Sequence, residues 1–425
     1  MSTGREVSIR MRAQMTAAVR PSANRIPPEQ RRDEIVSCAT DLFASKGFQL
    51  TTMDDIAEAA GITKRTLYRY FPSKEQLLYD IHDTFTDRSL LPGNPEDHED
   101  VVAEFRALVQ RHIEVVTDHQ KEIGVFFEER KHLSGDQARL IGRRRDAYER
   151  YAVSVVEFGI AGGDFIDLSP RPVAQALLGA LTETYRWYTP AGRLTPTEIA
   201  AAYLDIFLRG AAVDRRYEFP RSTAEPLPLP REHAEGGAAQ RVRAAAIHEF
   251  ARTGYHATSM RDLAAVADVT KGAVMYHAGY KQKLLEEIHR TTFEAGIEVL
   301  LATRPQSGKA IDSLYRLLVA HLNFLAPNRA AIAVVNGNLR YLEPDAFARI
   351  SELRSEWMDI FRGTIQRGIT DGELRDVDAG FLTRTLVGIL NSTARWYDPQ
   401  GRLRPDDLAG IYMRLLMSGL SAKTG

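Results

Sequence analysis

Cysteine is nearly absent: the one residue in 425, Cys38, excludes an intrachain disulfide, a thiol redox pair and a thiolate zinc cage. Long apolar runs are also missing. No stretch approaches the about eighteen residues that a spanning helix needs, and the Arg-rich start lacks the apolar segment of a secretory signal. A cytoplasmic protein with no membrane partner is expected. Neither sign of charge is in excess, since 55 Lys and Arg face 56 Asp and Glu for a formal net charge of −1. Any nucleic-acid surface must then be local. Catalytic signatures are missing as well. There is no phosphate loop, nucleophile elbow, metal-spaced His pair or dinucleotide fingerprint, and the eleven His are scattered singly. The expectation is a protein without cofactor or metal that is not an enzyme. Strand-like alternation never persists beyond a few residues.

What is present is a duplication. The chain exceeds the length at which one core keeps growing, and its 44% hydrophobic content supports more than one domain. TTMDDIA at 51–57 matches TSMRDLA at 258–264 with an offset of 207, and RWYTPAGRL at 186–194 matches RWYDPQGRL at 395–403 with an offset of 209. The second offset also aligns Tyr148 with Trp357 and Gly159 with Gly368. A period this long is a domain-scale repeat and not a solenoid. Between the copies, residues 220–230 hold four prolines and Gly236-Gly237 follow, which marks residues 216–238 as a semi-rigid linker. The first 32 residues carry seven arginines against two glutamates, so residues 1–30 are expected to be a basic, flexible arm.

Each copy reads as helical. Ile35, Val36, Ala39, Leu42 and Phe43 fall on one face with Gly47 closing the helix, and Val242, Ala246, Ile247, Phe250 and Gly254 repeat the pattern. Thr51 and Thr258 stand where N-caps belong, before a short helix. Gly61 follows that helix at a left-handed position whose counterpart is Asp268, and Thr63 or Thr270 caps the next. Three short helices with a tight turn before the third describe a helix-turn-helix.

The third helix opens TKRTLYRYFPSKEQLL at 63–78, with an altered copy, TKGAVMYHAGYKQKLL, at 270–285. Lys64, Arg65, Thr66, Tyr68 and Tyr70 put cations and hydroxyls where a duplex offers phosphates and base edges, and Ser73 can cap a helix beginning at Lys74. Composition alone suits an ordinary amphipathic helix with a solvated charged face. The complete ordered pattern resembles the DNA-binding domain of the tetracycline-repressor (TetR) family of transcription regulators. The W-Y-x-P-x-G-R-L segment resembles the last helices of the ligand-binding domains in the branch responding to acyl-CoA and related CoA thioesters.

That resemblance implies an all-α chain of two fused TetR-like units: helix-turn-helix domains at 31–84 and 239–291, and helical regulatory domains at 85–215 and 292–421. It implies a double-stranded DNA operator as partner, contacted by Thr51, Thr52, Thr63, Lys64, Arg65, Thr66, Tyr68, Tyr70 and Lys74, with Arg65 as the base reader and Phe71 as core. In the second copy the candidates are Thr258, Thr270, Lys271, Tyr276, His277 and Lys281, but Arg65 has become Gly272, Tyr68 has become Met275 and Phe71 has become Ala278. An asymmetric operator follows, read by one domain and mostly gripped by the other. The helices around 201–210 and 410–419 are expected to pair the units as an intramolecular pseudo-dimer, with a homodimer of the fused chain as the alternative. A small hydrophobic or CoA-thioester effector is implied, with Phe126, Phe127, Arg143, Arg144, Tyr148, Tyr151, Tyr185 and Trp187 as candidate contacts. His82 and His289, matched across the repeat, read as core. A protein-interaction scaffold with decayed DNA readers is the alternative.

Overall fold

The structure, a computed structural model, describes residues 27–89, 100–216, 237–303 and 308–422. Most of the expected arm and linker lies outside them. Eighteen α-helices build two units of nine among the described residues, with no strand longer than an isolated bridge. The first unit holds α1 (Pro28–Lys46), α2 (Met53–Ala59), α3 (Lys64–Tyr70), α4 (Lys74–Ser89), α5 (Val101–Asp118), α6 (Gln120–Glu129), α7 (Gly135–Ala161), α8 (Pro170–Glu183) and α9 (Pro196–Leu204). The second holds α10 (Ala238–Arg252), α11 (Met260–Val266), α12 (Lys271–Ala278), α13 (Lys281–Thr303), α14 (Ala310–Leu325), α15 (Arg329–Asn338), α16 (Pro344–Thr370), α17 (Ala379–Trp396) and α18 (Pro405–Met413).

The first three helices of each unit close over a small core of their own. Ile35, Ala39 and Phe43 recur at helical spacing on α1 and bury fully with Leu67 and Phe71, each such large side chain stabilising the domain by about 1.5–3 kcal/mol. Val242, Ala246 and Phe250 do the same on α10. α4 and α6 join the core of the first reading domain, while α5 and α7 to α9 of the first unit share one continuous core with the second unit, in which Phe105, Leu177 and Tyr203 pack with Leu318, Phe381 and Tyr412. Tyr203 and Phe381 meet across the units with ring centroids 4.7 Å apart.

The most extensive helix pairing joins α8 to α17. Gly179 on α8 lies against Ser392 so closely that a Cβ would collide, and Gly388 on α17 lies against Glu183 and the Ala180 Cα, 2.9 Å from where its Cβ would stand. Position 179 corresponds to 388 and 183 to 392, so the contact is isologous, made twice about a local two-fold. The expected pairing segments, 201–210 and 410–419, do meet across the units, but the larger pairing is this one and not one between α9 and α18. Those helices pack inward on α5 and α14 of their own units, because their apolar sides are consumed there. Tyr203 of α9 also reaches Phe381, α18 touches α8, and the π-turned ends, Asp205–Arg209 and Arg414–Ser418, meet each other across the units. Beyond them, Ala211 N donates to Leu416 O at 2.8 Å and Leu420 N donates to Phe207 O at 2.7 Å. Gly210 and Gly419 sit in this crossing at φ 72°, where either side chain would strike the opposite backbone.

Candidate functional site

The exposed end of each unit is a helix-turn-helix. In the first, Thr52 caps α2 by accepting from Asp55 N at 3.1 Å while Asp55 returns the bond to Thr52 N at 2.7 Å. Gly61 makes the turn at φ 63° and Asp268 does so in the second unit at φ 51°, as the sequence implied. Thr63 and Thr270 cap α3 and α12 through Thr66 N at 3.2 Å and Ala273 N at 3.1 Å. Leu67 and Phe71 anchor α3 from below, which leaves Lys64, Arg65, Tyr68 and Arg69 facing outward. Lys64 pairs with Asp54 on α2 at 2.9 Å, and that hydrogen bond raises its pKa. Arg65 has no ion-pair partner among the described residues and is exposed. Thr66 and Tyr70 are half-buried at the margins of this face.

Four of the expected DNA contacts are placed elsewhere. Thr51 and Thr258 are buried, not caps: each hydroxyl donates to the carbonyl four residues back, Gly47 at 2.8 Å and Gly254 at 2.9 Å. The second-unit cap is Ser259, accepting from Asp262 N at 3.2 Å. Lys74 and Lys281 turn inward. The Lys74 ammonium donates to Phe48 O at 2.7 Å, Gln49 O at 3.4 Å and Thr51 O at 2.9 Å and stands 4.3 Å from the Phe48 ring centre. Lys281 repeats this on Tyr255 O at 2.9 Å, His256 O at 3.4 Å and Thr258 O at 3.0 Å. An ammonium has three protons, so both lysines are spent on the fold. Burial lowers the pKa of both.

The second reading face is shorter of charge. Lys271 and His277 are exposed, yet the surface is dominated by Met275, Tyr276 and Tyr280, of which Tyr276 is 84% exposed. Ala278 fills the place of Phe71 and is buried, with Val274 beside it, so α12 remains seated without the ring.

A cavity of about 1370 Å³ opens in the first unit. Its apolar wall includes Phe85, Val115, Phe126 and Phe127, and its polar wall includes His112, Tyr148, Thr182, Arg130 and Arg145. The second unit supplies a further wall, Ser392 through Leu403, with Arg395 and Arg402. His112 is buried, its Nδ1 3.0 Å from Tyr148 Oη and its Nε2 3.0 Å from Thr182 Oγ1, and burial pushes its pKa to about 4. The Arg130 pKa is lowered by desolvation first and then by Arg145 and Arg395, which are themselves paired, Arg145 with Asp146 at 2.6 Å and Arg395 with Glu183 at 3.1 Å.

Phe126, Phe127 and Tyr148 line this cavity as the sequence suggested; five other candidates do not. Arg143 is exposed, and Arg144 ties α7 to α4 through Asp83 Oδ1 at 3.0 Å. Tyr151 is engaged by Glu104 and by Arg111 at 2.8 Å. Tyr185 packs under the first reading domain, and Trp187 meets Phe381 across the units at 6.0 Å. Sequence reasoning missed His112, Arg130, Arg145 and the whole second-unit wall. The W-Y-x-P-x-G-R-L repeat was the available signal, but it gave no hint that the second copy covers the first unit's cavity. Around His321, the counterpart of His112, stand Trp357, Phe361 and Phe324 in place of Tyr148, Ala152 and Val115. Trp357 lies 5.2 Å from both His321 and Phe361.

The family described as "Bacterial regulatory proteins, tetR family" matches residues 35–81 and 242–288, and "Tetracyclin repressor-like, C-terminal domain" matches 98–211 and 307–420. The chain belongs to the TetR family. Its relatives include the HTH-type transcriptional repressor KstR2 of Mycolicibacterium smegmatis, 31% identical over 43% of this chain and 91% of that protein. KstR2 of Rhodococcus jostii is 30% identical over 43% of this chain and 91% of its own length. The solved structure of the ketosteroid transcriptional regulator KstR2 of Mycobacterium tuberculosis matches at 28% identity and a TM-score of 0.38, over 41% of this chain and 92% of that one. Each such relative corresponds to one unit, so this TetR protein carries two in one polypeptide. Among the described residues no single helix is long and apolar enough to cross a membrane.

Proposed function

We propose that the chain is a DNA-binding transcription regulator, a repressor in the sense of its KstR2 relatives, in which one molecule supplies both reading domains as an intramolecular pseudo-dimer. The observation that carries this is the pairing of two helix-turn-helix domains with unequal faces on a single fused core. TetR-type pairing sets two recognition helices about one helical turn of DNA apart, ~34–36 Å. Here covalent linkage holds the local concentration on the order of mM, so pairing does not depend on protein concentration. Arg65 reads a base, and Lys64, Tyr68, Thr63 and Thr52 hold the backbone. The second domain, with Lys271, Thr270, Tyr276 and His277 on its face, grips without an arginine reader. The preferred operator is therefore asymmetric.

The effector is a hydrophobic anion, an acyl-CoA or related CoA thioester. A cavity of about 1370 Å³ exceeds the ~300–1,000 Å³ of ordinary ligand pockets, and its aromatic wall with an arginine-rich end suits an apolar tail carrying phosphates. Phe85 and Phe126 line it while touching at 5.4 Å, and Phe126 lies 5.2 Å from His82. Because Phe85 and His82 belong to α4, a ligand that moves Phe126 moves the helix on which the first reading domain stands. Site selection from random duplexes tests the operator, and a strict palindrome would refute the asymmetric reading. Thermal shift with a panel of acyl-CoA thioesters tests the effector; no shift with any removes that class.

The exposed Met275, Tyr276 and Tyr280 favour a second reading, in which the second domain docks protein rather than DNA. Salt titration separates the two, because log affinity for a phosphate-gripping pair falls steeply with log salt.

A further inference from the structure

Below the shared core, one short turn of the second unit touches both reading domains. Arg340 and Tyr341 close the 3-10 turn Leu339–Tyr341 after α15. Arg340 crosses to the first unit, where it pairs with Glu128 at 2.6 Å and with Glu129, and donates to Ala44 O at 3.1 Å on α1 of the first reading domain. The Tyr341 hydroxyl occupies the space a side chain at Gly47 would need, directly after α1. Its ring stacks on Tyr255 at 5.8 Å and meets His256 edge-on at 4.3 Å, and its carbonyl accepts from the Gln282 side chain; all three belong to the second reading domain.

The two-fold mate of this turn is Lys131-His132. His132 stacks on Phe48 at 4.9 Å, and the Lys131 ammonium stands 2.9 Å from where a Cβ of Gly254 would lie. Both turns are therefore wedged between both domains. They differ in charge. Glu128 and Glu129 correspond to Gly337 and Asn338, so the carboxylates at this joint come from the first unit alone: both meet Arg340, and Glu129 also lies 3.4 Å from Nε2 of His132 in the mate turn. Glu129 is buried and Glu128 is half-buried, which makes the clamp a partly desolvated ion pair that resists opening more than a surface pair would.

We propose that the Arg340-Tyr341 turn, clamped by Glu128 and Glu129, fixes the separation of the two reading domains and so determines which half-site spacing the chain accepts. The proposal rests on the reading that one chain spans one operator. Each base pair added between half-sites displaces one by about 3.4 Å and rotates it about the DNA axis, so a rigid joint must strain or release one domain. Arg340 is a positioning residue: it touches no DNA.

The test takes the selected operator and derivatives with one or two base pairs inserted or removed at its centre, measured by fluorescence anisotropy with the full chain. Wild type is expected to lose affinity by about tenfold or more per step, on the order of one lost base contact. In Arg340→Met the loss per step shrinks to about two- to threefold, below the cost of one mismatched base pair, while affinity for the parent spacing changes little. The pair Glu128→Gln with Glu129→Gln, which keeps side-chain size, gives the same broadening, and Arg340→Lys restores the wild-type penalty. One chain per operator with an unchanged penalty in both variants overturns the proposal and leaves the single-chain reading standing. Two chains per operator, read by mass, overturns both.

Discussion

Two lysines show how an isolated residue misleads. A Ser-Lys pair at a helix start suits an anion, yet Lys74 and Lys281 each tie three backbone carbonyls of the loop before α2 or α11. Replacing Lys74 by Met strips those carbonyls of a charged donor and is expected to destabilise the first reading domain by about 1–3 kcal/mol. The slope of log affinity against log salt should stay unchanged, whereas removing a phosphate contact would reduce it by about one. Denaturant titration and salt-dependent binding measure the two separately. Arg65→Ala should act oppositely, leaving stability unchanged while relaxing operator discrimination by about 1–3 kcal/mol, more than Lys271→Ala does. Competition binding with single-base operator variants reads this. Histidines give a pH signature. Burial pushes His82, His112 and His321 from 6.5 to about 4. Between those values the unfolded chain binds protons that the folded chain refuses, so stability falls as pH drops from 6.5 towards 4. Each contributes a slope of at most about 1.4 kcal/mol per pH unit, and urea midpoints across that range check it.

At the scale of elements, most of each reading domain was legible, because its signals are local: apolar spacing on α1, the left-handed Gly61, and the caps Thr63 and Thr270. The misplaced caps differ by one residue. Thr51 and Thr52, like Thr258 and Ser259, are both competent acceptors, and only packing decides which faces inward. The pairing of units was less legible, since the apolar stripes of α8 and α9 look alike in sequence. Glycine decides it, since Gly179 and Gly388 let α8 and α17 approach at backbone distance. Gly179→Ala should therefore cost about 1–3 kcal/mol through overpacking. Adding Ser392→Gly clears the colliding side chain and should recover most of that, a coupling that a double-mutant cycle from thermal unfolding would reveal. Additive effects would mean that α8 and α17 do not meet there.

Across the whole molecule, the two copies have diverged at the cavity as well as at the reading face. A homodimer would present two equal pockets, each walled by its partner. Here the first unit keeps space around His112 under the second unit's Arg395 and Leu403. The second unit has Trp357, Phe361 and Phe324 buried around His321. The second-unit wall was not visible in sequence, because its residues lie more than two hundred positions from the pocket they close, whereas the exchange of Tyr148 for Trp357 is read directly from the repeat. The divergence predicts one effector per chain, and calorimetry with a bound acyl-CoA thioester should give a stoichiometry near one. Transplanting the second unit's bulk into the first, by Val115→Phe with Tyr148→Trp, should weaken effector binding by at least about tenfold, since overpacking costs about 1–3 kcal/mol and the ligand loses its space. Operator binding should survive in that variant while release by the effector is lost. The reverse exchange, Phe324→Val with Trp357→Tyr, should leave the stoichiometry and release of the first site intact. A stoichiometry of two in the unaltered chain would mean that the aromatic filling of the second unit yields to ligand, and the two units would then sense as equals.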